Sequence, residues 1–481
     1  MKMDLVPHFV IVGGGIAGLA AAHRLQEISR ERELPLRFTL LEAGGRVGGT
    51  LGTERRDGFL LELGPDSFIS EKPWALALCR RIGLESELIG TRDEHRATFV
   101  VHKGKLELLP EGFMLLAPTK LGPLLRSRLF SWPGKLRMAL DLALPRGPHQ
   151  DDESLGSFVR RRFGREVLEC VAQPLIGGIY TADPDQLSLA ATMPRFLQME
   201  REHRSVIAAM WKTSRSRPQE AKGASGARWS LFVSLRNGMQ TFVDALTARL
   251  SIGHVRQHCA VSQLRRGNGQ WQVTCTDGSI LSADGVILAT PTFQTSPIVR
   301  ELDSQLAEHL AMIRYSSAAT VNLAFRREQI PHPLNGFGFV VPHIEKRKII
   351  ACSFSSVKYA RRAPEDHALL RAFVGGSLQE ELFSLDDSEM EQAVRQELAT
   401  FLGIQTAPLF VHIARYPRSM PQYRVGHLRL IDAIEKQVAK YPGLALAGSA
   451  YRGVGIADCV RSSEAAAESV LNQIIQTLPN C

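Results

Sequence analysis

The chain has 481 residues, 44% of them apolar and 22% charged, which is enough for two or three folded units and excludes disorder, collagen and a small disulfide scaffold. Lysine and arginine number 58 against 49 aspartate and glutamate, a formal +9 that points to an anionic partner: nucleic acid, phospholipid, a phosphorylated cofactor or a carboxylated substrate. No stretch of about 18 apolar residues occurs, so no bilayer-spanning helix is expected.

In chain order, Phe9-Val-Ile-Val12 predicts a short buried strand that breaks at Gly13-Gly14-Gly15-Ile16-Ala17-Gly18 and continues as the helical composition of Leu19 to Leu25. A second β-branched and apolar run, Phe38 to Leu41, ends at Glu42 and completes a βαβ unit. Residues 151–213 read as mostly helical, with apolar positions at helical spacing around Phe158, Val167, Val171 and Leu175. The polar stretch from Ser214 to Arg228 predicts an exposed linker. Strands return at Trp271 to Cys275, Ile280 to Leu281 and Gly285 to Thr290. Ala319 to Phe325, Gly338 to Val341, Ile349 to Phe354 and Leu369 to Val374 then alternate as half-buried antiparallel strands do. Leu444 to Gly448 predicts a last buried strand, followed by a glycine-rich turn and a helix over Ser462 to Ile475.

The class predicted is α/β (α+β), with a Rossmann-type nucleotide-binding unit built from discontinuous pieces. These pieces are residues 1–93, 225–300 and 415–481. Residues 94–224 form a mostly helical insertion and residues 301–414 a mixed or antiparallel-sheet substrate domain.

The G-x-G-x-x-G pattern at Gly13, Gly15 and Gly18 draws its meaning from context: it follows a strand, opens a helix, and is followed by an acid at the next strand's end. Gly13 permits the tight turn, Gly15 lets backbone N–H groups approach a pyrophosphate, and Gly18 allows close helix–strand packing. The helix N-terminus adds a partial positive charge facing the phosphates, and Glu42 can accept both ribose hydroxyls while repelling a 2′-phosphate. Directly after it, Arg46-Val-Gly-Gly49-Thr50 supplies a cation and a second glycine turn for the pyrophosphate's other side, which favours a flavin dinucleotide over a nicotinamide one. Gly448-Ser-Ala-Tyr-Arg-Gly453-Val454-Gly455-Ile456 predicts a strand, a turn and a helix start, with Cys459 a buried thiol. The seven cysteines are odd in number and dispersed, with no C-x-x-C pair or Cys/His cluster, so a reducing cytoplasm and no metal site are expected.

Gly58-x-x-x-Glu62-x-Gly64-Pro65 resembles the continuation seen in the amine-oxidase-like FAD superfamily, the p-hydroxybenzoate-hydroxylase-like fold group. Gly64-Pro65-Asp66-Ser67-Phe68, Gly178-Ile179-Tyr180-Thr181-Ala182-Asp183, Glu202-His203-Arg204-Ser205 and Met420-Pro421-Gln422-Tyr423 with Gly426-His427 resemble, in order, the protoporphyrinogen/coproporphyrinogen III oxidases. Ala117 to Lys120, Asp152 to Leu155 and Arg160 to Phe163 are similar to the soluble bacterial branch, several of whose members act on coproporphyrinogen III.

That resemblance implies one non-covalent FAD per chain, held by Gly13, Gly14, Gly15, Ile16, Ala17, Gly18, Glu42, Arg46, Gly49, Thr50, Gly64, Pro65, Asp66, Ser67, Val261, Tyr416, Val454, Gly455 and Ile456. Tyr416 stands where many relatives have tryptophan. It further implies six-electron oxidation of a porphyrinogen in heme biosynthesis, with oxygen as acceptor, hydrogen peroxide released and hydride taken by the flavin rather than a catalytic side chain. Lys72, Arg96, and with them Lys120, are candidate partners for substrate carboxylates, and Phe339, Val340 and Phe373 for the pocket wall. The His203-Arg204 pair reads equally as a structural ion-pair network. Leu121 to Leu144, with Arg126, Arg128, Trp132, Lys135 and Arg137 among apolar residues, leaves peripheral membrane contact open, and a homodimer is open too. No nucleic-acid motif occurs. Another amine- or carotenoid-oxidising enzyme of the superfamily, or a non-catalytic binding protein on the same scaffold, remain the competing readings.

Overall fold

A computed structural model describes residues 6–477 except 115, 148–150, 217–230, 252 and 268. The β-branched and aromatic strand His8–Val12 and its neighbour Arg37–Leu41 form the centre of a five-stranded sheet in the order 253–256, 37–41, 8–12, 285–288, 444–446. All of its pairings are parallel. Parallel strands need crossovers. The crossover between the first two strands is the helix Ile16–Glu31, whose alanine- and leucine-rich face packs with the last helix, Ile456–Thr477, in one core. The five-stranded sheet therefore draws its strands from three distant stretches of chain.

Beside it stands a seven-stranded sheet in the order 410–421, 315–326, 367–375, 351–354, 338–340, 99–102, 105–108. Three of its members depart from the predicted segments. Phe99–His102 and Lys105–Leu108 lie within 94–224, where a helical insertion was expected, yet they join this sheet through parallel pairing of Phe99 and Val100 with Phe339 and Val340. Arg415 to Pro421, assigned to the nucleotide unit, is the end of the edge strand Phe410–Pro421. In both places the strand is completed by a partner far off in sequence, 338–340 for Phe99–His102 and 315–326 for Phe410–Pro421, which local pattern cannot reveal.

Helices occupy most of residues 121–216 around a core of Phe158, Phe163, Val171 and Phe196. A wide π turn, Leu168–Ala172, precedes Pro174, whose missing N–H breaks the regular ladder. The polar stretch 214–228 lies outside the described residues beyond Ser216, where the helix Val206–Ser216 ends. Arg161 and Arg162 staple this unit from inside, while Arg160 is exposed and pairs with Asp185. Arg161 reaches Glu153 and Glu200, and Arg162, 1% exposed, donates to Glu200 and to the Pro145 carbonyl. Burial alone would raise the Glu200 carboxyl, but the two arginines and the Gly147 N–H bring it down to about 2.

Candidate functional site

At the carboxyl end of the central strand the two glycine turns close on each other. Gly13 has φ +104°, and a Cβ at Gly18 would lie 1.8 Å from the Gly13 carbonyl oxygen, so helix and strand approach as only glycine allows. The Gly48 N–H donates to the Gly14 carbonyl at 2.7 Å, and a Cβ on Gly49 would sit 3.2 Å from the Gly15 Cα. Glu42 Oε2 accepts the Gly14 N–H at 2.8 Å and Oε1 the Gly44 N–H at 2.7 Å, leaving each oxygen a further lone pair. The Cys259 N–H donates to the Glu42 carbonyl, which brings the start of the strand Val261–Gly267 to the same end of the cradle.

Arg46 spends its guanidinium on loop carbonyls, donating to Leu51 at 2.8 Å and Gly49 at 2.7 Å. It therefore shapes the second glycine turn as well as bringing a cation to it. The helix Ile16–Glu31 has no side-chain cap and no acid in its first turn, so its leading N–H groups face an open cradle. A dinucleotide pyrophosphate fits that donor set: uncapped N–H groups, glycines on both sides of a narrow gap, and a carboxylate at the ribose end.

The cradle continues to Gly64, where a Cβ would lie 1.8 Å from the Thr50 carbonyl oxygen and 3.5 Å from the Tyr416 hydroxyl. Thr50, Gly64 and Tyr416 are thus brought together, and Pro65 is exposed beside them. Arg371 donates to the Leu63 carbonyl at 3.0 Å and to that of Gly64. Asp66 is committed to Lys358 at 3.0 Å and to the Ser67 hydroxyl at 2.6 Å. Burial pushes the Asp66 carboxyl up, but Lys358 and Arg371 hold it well below the usual carboxylate range. One turn earlier Glu62, 4% exposed, is pushed up to about 7 by burial, against the pull of Arg362 and the Thr53 and Met239 donors.

The C-terminal turn closes the third side. Gly453 has φ +140°, and a Cβ there would lie 2.3 Å from the Asp458 carboxyl carbon. Val454, Gly455 and Ile456 follow and open the helix Ile456–Thr477. Asp458 in its first turn is buried and takes Lys72 Nζ at 2.6 Å. Lys72 is therefore a strut between two helix starts, not the unpartnered cation expected of a substrate ligand. Cys459 is buried, and burial pushes its thiol up to about 12.

The remaining substrate candidates separate by strand alternation. Arg371, Phe373 and Val340 register with Asn322, Thr320 and Ala351, the face that Thr320 ties to the Leu63 carbonyl at 2.8 Å. Phe339 points the other way, because successive side chains on a strand alternate. It is 1% exposed and packs against Phe354 and Phe401, so the expectation that it lines the pocket is corrected to core packing. Arg96 is exposed on the loop before Phe99. Lys120 pairs with Glu111 at the surface. His203 and Arg204 lie exposed at the end of the helix Pro194–His203, Arg204 donating to the Leu142 carbonyl. Lys358, Arg371 and Asp458 were missed; an arginine inside the apolar run Leu369-Leu370-Arg371-Ala372-Phe373 was the legible signal. Among the described residues no cluster of His, Cys, Asp and Glu could hold a metal ion.

A glycine-lined dinucleotide cradle on a discontinuous parallel sheet, backed by a mixed sheet, defines a flavin-dependent oxidoreductase. Residues 16–471 match the family model described as "Flavin containing amine oxidoreductase". The chain belongs to that family and, within it, to the protoporphyrinogen/coproporphyrinogen III oxidases. It is 36% identical to the coproporphyrinogen III oxidase of Bacillus subtilis (strain 168), over 97% of this chain and 98% of that one. It is 32% identical to the protoporphyrinogen oxidase of Bos taurus, over 96% and 98% of the two chains. A crystal structure from Exiguobacterium sp. 255-15, described as a candidate protoporphyrinogen oxidase, superposes with a TM-score of 0.86 at 34% identity, covering 98% and 99%.

Proposed function

We propose that this chain oxidises a porphyrinogen to a porphyrin in heme biosynthesis, coproporphyrinogen III to coproporphyrin III and/or protoporphyrinogen IX to protoporphyrin IX. The observation that carries the reading is the near-full-length likeness to the Bacillus subtilis coproporphyrinogen III oxidase. The cradle residues Gly13 to Gly18, Glu42, Arg46, Gly49 and Thr50 would hold one FAD, with Gly64, Tyr416 and the Val454 to Ile456 turn beside its ring. Bound FAD supplies the two-electron acceptor for each of three oxidations, with oxygen reduced to hydrogen peroxide. Cys459, buried and held protonated, is unsuited to a thioether link, which supports non-covalent binding.

The chain's own work is then binding and orientation. Phe373 and Val340, on the sheet face that also carries Tyr416, offer a flat apolar wall to a macrocycle. Arg96 remains the candidate for a substrate carboxylate, whereas Lys72 has Asp458 as its first partner. No side chain is assigned as general base, and the pyrrolic protons pass to water. Side-by-side kcat/KM on coproporphyrinogen and protoporphyrinogen, with peroxide counted, tests the reading. Flavin-loaded protein that leaves both at their autoxidation rates refutes it.

Peripheral membrane contact belongs to the same reading. Trp132, Leu136 and Leu140 recur four apart and are 65%, 68% and 51% exposed, with Leu125 beside them. Arg126, Arg128 and Arg146 are exposed nearby, and Asp141, the one acid between 121 and 147, is buried. That composition suits the headgroup plane of an anionic bilayer, with the bulk of the chain in a reducing cytoplasm. No described helix is long and apolar enough to cross a membrane. Co-sedimentation with phosphatidylglycerol vesicles should fall on Trp132→Asp/Leu136→Asp; equal binding by that variant excludes this face.

A further inference from the structure

Two of the segments that carry the family resemblance, Gly178 to Asp183 and Met420 to Tyr423, have no role in the cradle as described. They meet the flavin-edge turn at one dipeptide. Gln422 and Tyr423 follow the end of the edge strand Phe410–Pro421, and their side chains reach two different segments. The Gln422 amide donates to the Tyr180 carbonyl at 3.1 Å and to the Ser316 hydroxyl at 3.0 Å, and Ser316 in turn meets the Thr181 hydroxyl at 2.7 Å. The Ser377 N–H donates to the Thr181 carbonyl, which fastens that segment to the end of the strand bearing Phe373.

Tyr423 serves the other side. Its hydroxyl donates to the Ser449 carbonyl at 2.6 Å and accepts the Gly453 N–H at 2.8 Å, bridging the turn that leads into Val454 to Ile456. The ring is 1% exposed and stacked on His427 at 3.9 Å, with 14° between planes. His427 Nε2 pairs with the Tyr451 carbonyl of the same turn at 2.8 Å. The Tyr423 carbonyl accepts the Ser188 N–H from the helical unit. A buried phenol that both donates and accepts fixes two backbone groups of one loop at a set spacing, and phenylalanine can do neither.

We propose that Gln422 and Tyr423 are positioning residues that set the gap between the substrate wall and the flavin edge: Gln422 registers Tyr180-Thr181, and Tyr423 registers Ser449 to Gly453. The substrate half of this proposal rests on the porphyrinogen reading; the flavin half does not. A single rigid peptide then holds both walls, and its two side chains have separable effects.

The test compares Tyr423→Phe with Gln422→Leu, both close in shape to the native side chain. Reconstituting apoprotein with FAD, Tyr423→Phe should bind about tenfold more weakly, with a shifted flavin absorption band, and keep KM for coproporphyrinogen within about twofold once FAD is saturating. Gln422→Leu should keep FAD affinity and the band unchanged and raise KM about tenfold. Effects of the same size on both readouts in either folded variant, or wild-type values in both, overturn the proposal. If wild-type protein oxidises no porphyrinogen, the FAD arm of Tyr423→Phe still decides the flavin half. If Tyr423→Phe does not fold, the Gln422→Leu split decides alone.

Discussion

In the nucleotide cradle the groups offered to a ligand are backbone: the uncapped N–H groups that open the helix Ile16–Glu31, a loop whose carbonyls Arg46 holds, and a gap between Gly15 and Gly49 kept open by missing side chains. On the sheet face opposite, the groups are side chains, Tyr416, Phe373, Val340 and Arg371, placed by alternation on strands from separate parts of the chain. At Gly13, Gly14 and Gly18 the cradle leaves no room for an added atom, whereas the sheet face can exchange one side chain for another of similar shape. The first therefore fixes the cofactor class, and the second leaves room for different substrates on one scaffold.

The contrast can be broken most forcefully at Phe339. Phe339→Ala should cost about 3–5 kcal/mol of stability by chemical denaturation, because its ring fills the core with Phe354 and Phe401, and should leave KM for porphyrinogen unmoved. A large KM rise in a stable protein would return Phe339 to the pocket. Next in size, Gly15→Val should fill the gap against Gly49 and weaken FAD binding by at least about a hundredfold by titration calorimetry. Normal flavin content in the folded variant would show that the phosphates lie elsewhere.

The joint between the two regions is open to a pH experiment. Burial raises Glu62 to about 7 from an ordinary 4.5, so its folded form prefers the proton. Its contribution to stability is complete below pH 4.5 and is lost as pH rises through about 7, a decline of about 3 kcal/mol. Denaturant midpoints of Glu62→Gln should be flatter across that window; an unchanged slope would mean that Arg362 keeps the carboxylate ionised. The smallest effect expected is Phe373→Ala, about a tenfold rise in KM with FAD affinity intact, which would sharpen the assignment of the sheet face to substrate.

The parallel strands around Phe9 and Phe38, the glycine turn and Glu42 were legible because each rests on local chemistry: β-branched runs, a positive φ, an acid at a strand end. The C-terminal turn was legible for the same reason. The side-chain partners were not. Lys72 looked like a spare cation because Asp458, its partner, lies 386 positions on. Phe339 and Val340 are neighbours in sequence, and only the register with Ala351 and Cys352 decides which shares a face with Phe373 and Thr320. The strands at 99–108 read as part of an insertion until their parallel partner at 338–340 is known.

The five-stranded sheet also dictates an order of events during synthesis. Val10 pairs with Val286, and Val286 with Leu444, so the middle strand leaves the ribosome with one edge unpaired until residues 285–288 have emerged, and that strand waits in turn for 444–446. The turn at Val454 to Ile456 comes later still. Chains stopped before that turn carry the glycine signature without the wall proposed for the flavin edge, so stable flavin capture should wait for the turn to be made.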